Sequence, residues 1–146
     1  MHCGPLSYLR DRRIIHKLWL AKVSIQMNNF AIARQNMVDN QIRANKVTDP
    51  ALIEAFLSIP REDFVPTGKE TVAYVDEDLS LGGGRFLIEP MVLSRLLQEA
   101  DIDGSDIVLD VGCCTGYSTA VISRIAASVI GIDAVSYTHL RAHETG

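Results

Sequence analysis

Ile107-Val-Leu-Asp-Val-Gly-Cys-Cys-Thr-Gly-Tyr-Ser-Thr-Ala-Val-Ile122, followed by Val129-Ile-Gly-Ile-Asp133, decides the fold of this 146-residue chain. The apolar run at Ile107, Val108 and Leu109 predicts a buried parallel strand ending at Asp110 and Val111. A tight loop from Gly112 to Gly116 then opens a segment whose Ala120, Val121, Ile125 and Ala126 suit a packed helix. Val129 to Ile132 predicts a second strand with an acid, Asp133, at its C-terminal end. Strand, loop, helix and strand make the first half of a nucleotide-binding βαβ unit. Ligands of such folds sit outside the carboxyl ends of the strands, where loop amides and a helix N-terminus face them.

The glycine spacing narrows the ligand. Dinucleotide sites use G-x-G-x-x-G so that backbone amides approach a pyrophosphate. Here Gly112 and Gly116 enclose two cysteines and a threonine, and Asp110 stands two residues before the first glycine. A carboxylate there repels a diphosphate but can receive a cationic amino group. The pattern resembles motif I of the S-adenosylmethionine-dependent methyltransferases, D-x-G-x-G-x-G, with Cys114 in place of the middle glycine. That resemblance implies S-adenosyl-L-methionine as cofactor, bound by Asp110, Gly112, Cys114, Gly116 and Asp133. Asp110 would face its methionine end and Asp133 its ribose hydroxyls, the acid lying at about the separation usual for such units. The plainer alternatives are a turn cap at Asp110 and a solvated strand end at Asp133.

Three earlier segments sharpen the resemblance. Pro60-Arg-Glu-Asp-Phe-Val-Pro66, Ala73-Tyr-Val-Asp-Glu-Asp-Leu-Ser-Leu81 and Gly82-Gly-Gly-Arg-Phe-Leu-Ile-Glu-Pro90 precede the loop in that order. They resemble the N-terminal portion of the protein-L-isoaspartate O-methyltransferases, with its VPR-x-x-FVP segment, AY-x-D-x-x-L segment and G-x-G-Q-T-I-S-Q-P active-site loop. The likeness spans residues 37–133. It implies an α/β, Rossmann-like methyltransferase fold, here incomplete: N-terminal helices plus the first β-α-β unit. It also implies transfer of a methyl group to a carboxylate of a damaged protein or peptide.

The acceptor loop departs from the family. Aligned on Gly82, Gly84 and Pro90, Q-T-I-S-Q becomes Arg85-Phe-Leu-Ile-Glu89, so Phe86 and Ile88 replace the hydroxyl residues. A carboxylate acceptor is already anionic at neutral pH and needs no strong base. It needs positioning. The change therefore predicts altered acceptor recognition more than lost chemistry, with Gly84, Arg85 and Ile88 as acceptor-loop candidates. Arg85 could grip a carboxylate through both nitrogens, or be a solvated or Glu89-paired surface arginine. No single residue emerges as a catalytic acid or base. Decay of this loop also leaves open a non-catalytic module that binds a ligand or partner.

Cys114 occupies a position where only glycine adopts unusual backbone angles at no cost. Its sulfur could crowd a ligand or be accommodated by a small shift, or the cysteine could be a base-call error, since glycine and cysteine codons can differ by one nucleotide. The adjacent Cys113-Cys114 pair lacks the C-x-x-C spacing of metal and redox sites, and three cysteines in all predict reduced thiols and a cytoplasmic protein.

Both ends stand apart. Residues 1–26 carry five basic side chains and one acidic; the remainder carries nine basic and seventeen acidic. Ile14, Ile15, Leu18 and Leu20 among arginines suggest a transit-like amphipathic helix, or a start assigned too early, with Met27 as the true start. Residues 134–146 do not continue the α/β pattern and read like translated sequencing adapter. His139 and His143, at helical spacing there, have no third ligand, and no metal site is expected. The domain plan is thus a doubtful leader (1–26), a helical and acceptor-loop region (27–106), the start of the cofactor domain (107–133) and an artefactual tail (134–146). A body with net negative charge and no aromatic-laced basic patch argues against nucleic acid, and no long apolar run predicts a membrane span.

The remaining elements are expected as follows: a helix over residues 30–45, another over 49–57 beginning at Thr48-Asp-Pro50, and an extended connector between Pro60 and Pro66. Residues 74–81 predict irregular chain or a short strand, and Gly82-Gly-Gly84 a turn. A helix opens at Glu89-Pro90 with Val92, Leu93, Leu96 and Leu97 as its apolar stripe. Asp76, Glu77 and Asp78 read as a solvated loop; the family resemblance implies that Asp76 could shape an acceptor pocket. Two parallel strands alone leave apolar faces bare, so this polypeptide is expected to be poorly folded and inactive by itself.

Overall fold

The computed structural model describes residues 12–134; the expectations for residues 1–11 and 135–146, including His139 and His143, lie outside them. Helix α1 spans Arg12–Met37, starting well before the expected residue 30 and crossing the boundary at residues 26 and 27 without a break. No glycine or proline interrupts residues 12–49, so nothing stops the helix propagating toward the N-terminus. Its far C-terminal part is also not α-helical as expected. Val38–Ile42 widens into a π-turn, with the Arg43 amide donating to the Val38 carbonyl. A 3-10 turn, Arg43–Asn45, ends at Lys46 in the left-handed region. The widened turn seats Val38 and Ile42 fully in the core.

Helix α2 (Pro50–Ser58) forms where the local signals agree. Asp49 caps it, its Oδ1 accepting from the amides of Ala51 at 2.7 Å and Leu52 at 3.0 Å, and Pro50 needs no amide partner in the first turn. The connector after Pro60 is a 3-10 turn, Arg61–Phe64, not the extended chain expected. That turn carries Arg61 inward. Strands β1 (Leu79–Gly82) and β2 (Arg85–Leu87) make an antiparallel hairpin that pairs Leu79 with Leu87 and Ser80 with Phe86. Gly82, Gly83 and Gly84 all take positive φ at its tip, which glycine alone adopts without strain.

Helix α3 (Pro90–Glu99) buries Leu93 and Leu97, leaves Val92 half-buried and exposes Leu96. Gln98 ties it to the chain before α2: its Oε1 accepts from the Thr48 amide at 2.6 Å and its Nε2 donates to the Lys46 carbonyl at 2.9 Å. Around these elements one core joins Met37, Val38 and Ile42 to Leu52, Phe56, Leu93 and Leu97. Tyr117, Val121 and Ile122 of helix α4 (Tyr117–Ile122) close it.

Strands β3 (Ile107–Val111) and β4 (Ser128–Ile132) are parallel, in register from Ile107 opposite Ser128 to Val111 opposite Ile132. α4 connects them, as the βαβ pattern requires. It sits so close to β4 that a Cβ at Gly131 would lie 2.7 Å from Thr119 Oγ1. The buried strand expected at Ile107, Val108 and Leu109 is buried on one side only. Val108 packs against the core, whereas Ile107, Leu109 and Val111 are 79, 59 and 71 % exposed. Ile130 and Ile132 lie beside them on the same bare face. That matches the exposure expected of two strands without neighbours.

Candidate functional site

The loop between β3 and α4 is built by backbone geometry. Gly112 and Gly116 take φ of +80° and +87°, and Cys114 between them takes +53°. The Gly112 amide donates to the Ile132 carbonyl at 2.7 Å, extending the sheet by one rung, and the Gly116 amide donates to the Cys113 carbonyl at 2.8 Å. Space beside Gly112 is open where a Cβ would stand. Thr115 places a buried hydroxyl inside the loop that has no hydrogen-bond partner among the described residues.

Asp133 follows β4 directly and reaches this loop. Its Oδ2 accepts from the Cys114 amide at 2.7 Å. The same oxygen is ion-paired to Nη2 of Arg85, carried by β2. Arg85 therefore pairs with Asp133, a partner that was not among the sequence alternatives. Arg85 Nη2 also approaches Cys114 Sγ at 3.6 Å, and that thiol lies 3.6 Å from the Phe86 carbonyl. Arg85, Cys114 and Asp133, from three separate stretches of sequence, thus meet at one point.

Asp110 lies at the other side of the loop. Its Oδ2 accepts from the hydroxyls of Ser118 and Thr119, each at 2.7 Å. The carboxylate thereby holds two hydroxyls in the first turn of α4 without capping a backbone amide, and it stands at the carboxyl end of β3. Asp110 and Asp133 flank the glycine loop.

Of the acceptor-loop candidates, Gly84 is exposed at the hairpin tip and Ile88 is half-buried, its carbonyl accepting from Arg61 Nη2 at 2.8 Å. Arg61 is the residue that sequence reasoning left unread. Its guanidinium is fully buried, donates through Nε to the Ala73 carbonyl at 2.7 Å and stacks 4.8 Å from the centre of the Tyr117 ring. It joins the connector, the acceptor loop and α4. Burial pushes its guanidinium below the usual value and pushes the Tyr117 phenol up to about 12, with the Arg61 charge pulling the other way. The one signal available was its place just after Pro60, in the short segment that Pro60 and Pro66 bound.

A second network braces the same region. Arg34 of α1 donates through Nη2 to Glu62 at 3.1 Å and through Nε to Tyr74 Oη at 2.9 Å, while the Tyr74 hydroxyl donates to Glu62. Burial raises the Tyr74 phenol above its ordinary range. In the acidic run, Asp78 accepts from the Glu89 amide at 2.9 Å and so fixes the end of the acceptor loop. Asp76 and Glu77 are exposed. Among the described residues, no group of three or more acidic, histidine or cysteine side chains is placed to hold a metal.

Comparison with known proteins settles the family. The family model described as protein-L-isoaspartate(D-aspartate) O-methyltransferase (PCMT) matches residues 32–145. The chain belongs to that family. A protein-L-isoaspartate O-methyltransferase 2 from Anaeromyxobacter sp. (strain Fw109-5) is 37% identical over 112 residues, 77% of this chain and 46% of the relative. A Koribacter versatilis (strain Ellin345) protein-L-isoaspartate O-methyltransferase is 36% identical over 110 residues, 75% of this chain and 50% of that one. The chain therefore spans about half the length of the curated relatives it matches. A solved protein-L-isoaspartate O-methyltransferase superposes with a TM-score of 0.59 at 26% identity, covering 68% of this chain and 33% of that structure. A Plasmodium falciparum beta-aspartate methyltransferase (PCMT), solved with S-adenosyl-L-homocysteine, gives a TM-score of 0.58 over 70% of this chain and 50% of its own. At 17% identity it bears on the fold alone. The α/β methyltransferase architecture, incomplete within these residues, is the one expected. Among the described residues no helix is long and apolar enough to cross a membrane.

Proposed function

We propose that this chain forms the front of an S-adenosylmethionine-dependent methyltransferase that methylates a carboxylate of a protein or peptide, of the isoaspartyl type. One observation carries the reading: Asp110 and Asp133 end two parallel strands on either side of a left-handed glycine loop, with the Asp133 carboxylate on the Cys114 amide. The residues suit the cofactor. Thr115 has a buried hydroxyl in need of a partner, and Gly112 keeps the loop open. Asp133 would hold the ribose hydroxyls; Asp110, Gly112, Cys114 and Gly116 would line the remainder. The bound cofactor supplies an electrophilic methyl group.

The chain's own task is then to hold an acceptor that is anionic at neutral pH. Phe86, 53 % exposed, and the hairpin tip at Gly84 form the rim of that position. The protein is read as cytoplasmic, which the free thiols Cys113 and Cys114 suit. Titration calorimetry with S-adenosylhomocysteine tests the reading. Saturable binding is expected, weakened about tenfold or more by Asp133→Ala, the loss expected for hydrogen bonds to a charged group. Absence of binding, or binding indifferent to that substitution, defeats it. Methyl transfer to an isoaspartyl peptide, against its aspartyl isomer, tests the acceptor class.

A further inference from the structure

We propose that Arg85 couples the two halves of this site: it holds Asp133 until a cofactor ribose takes that carboxylate, and then turns to the acceptor's carboxylate. This rests on the methyltransferase reading above and adds an order to it, cofactor before acceptor.

Three observations carry the inference. First, the carboxylate that would receive a ribose is already engaged. Arg85 Nη2 is paired to Asp133 Oδ2, and the two side chains are only 20 and 8 % exposed. A ligand arriving there displaces a guanidinium rather than water, so its apparent affinity falls by the fraction of molecules in which the pair is closed. Second, the hairpin tip beside this side chain is open. Arg85 directly follows Gly82, Gly83 and Gly84, all at positive φ with open space around them. The far end of the loop is pinned, by Arg61 on the Ile88 carbonyl and Asp78 on the Glu89 amide. Third, the displaced group and the incoming one match. A half-buried guanidinium that loses one carboxylate is best stabilised by another, and its planar fork accepts a carboxylate through two hydrogen bonds. Arg85 thereby serves as a positioning residue for the acceptor in a loop that lacks hydroxyl side chains at 86 and 88.

The test measures binding of S-adenosylhomocysteine by calorimetry, and of a fluorescent isoaspartyl peptide by anisotropy, for the wild type, Arg85→Gln, Arg85→Lys and Asp133→Ala. S-adenosylhomocysteine should bind Arg85→Gln about fivefold tighter than the wild type, because the closed fraction is gone. Arg85→Lys, which keeps the charge, should stay near the wild type. The peptide should bind the wild type only when S-adenosylhomocysteine is present, and Arg85→Gln under neither condition. Equal or weaker S-adenosylhomocysteine binding by Arg85→Gln overturns the coupling, as does peptide binding that ignores S-adenosylhomocysteine. The two failures separate cleanly. S-adenosylhomocysteine binding untouched by Asp133→Ala removes the methyltransferase reading itself, whereas binding lost in Asp133→Ala but unchanged in Arg85→Gln removes the coupling alone.

Discussion

The helical cluster and the two-stranded sheet are both apolar in sequence, yet they end in opposite states. In the cluster, Val38, Ile42 and Phe56 have no exposed surface. In the sheet, Ile107 and Val111 keep more than two thirds of theirs. The cause is the number of layers available to each. The cluster receives side chains from α1, α2, α3 and α4. The sheet has α4 on one face and, within the described residues, nothing on the other. Parallel sheets are stable when both faces are covered, and this chain spans about half the length of its relatives. An apolar run thus reports which surface a strand is suited to bury, and the covering layer decides whether it does.

The comparison is most easily broken by truncating one side chain in each region. Phe56→Ala should cost about 4 kcal/mol, the usual penalty for removing a fully buried aromatic. Leu109→Ala, on the bare face, should change stability by less than about 0.5 kcal/mol. Urea unfolding of the two variants measures both. Equal costs would mean that the sheet face is covered in solution, by self-association for instance, and sedimentation at several concentrations would reveal that.

Alkaline pH sharpens the same contrast. Tyr117 is the residue through which α4 enters the packed cluster, edge-on to Phe56 and Phe64. Its phenol is raised to about 12 by burial. A folded-state value above the unfolded one favours the protonated form, so the stability tied to it is complete below pH ~10 and is lost as pH climbs through ~12. The loss should reach about 2–3 kcal/mol. Tyr74, raised in the same direction, adds to it. Tyr117→Phe should flatten much of this alkaline limb in a pH series of melting curves, and a limb of unchanged depth would assign it elsewhere.

The fold was largely legible because its strongest signals are local. The cap at Asp49-Pro50, the stripe at Leu93 and Leu97, and the strand-loop-strand run each carry their own physics. What escaped needed tertiary information. Arg61 looked like an ordinary charged residue, and only its two carbonyl partners and the Tyr117 ring make it a core residue. β2 is three residues long, too short for any alternation to show, and its pairing depends on the hairpin tip. The approach of Thr119 to Gly131 belongs to helix-on-sheet packing. For the site, Asp110, Gly112, Gly116 and Asp133 lie around one loop. The partner of Arg85 did not follow from sequence, because Asp133 lies 48 residues away and Glu89 only four.

Cys114 joins the hairpin to the loop after β3, and it offers the smallest but most discriminating change. At φ +53° it occupies the left-handed region, which costs a residue with a Cβ roughly 1–2 kcal/mol. Glycine relieves that strain but loses more backbone entropy on folding, offsetting it by roughly 0.5–1 kcal/mol. Cys114→Gly should therefore stabilise the chain by about 0.5–1 kcal/mol. Against this stands the sulfur, 3.6 Å from both the Arg85 guanidinium and the Phe86 carbonyl, which bridges the hairpin to the sheet loop. If backbone strain dominates, the variant melts higher and the hairpin amides keep their hydrogen-exchange protection. If the bridge dominates, the variant melts lower, and protection drops first at Arg85–Leu87. The second result would make Cys114 a working contact between the hairpin and the sheet loop, in place of a strained substitute for glycine.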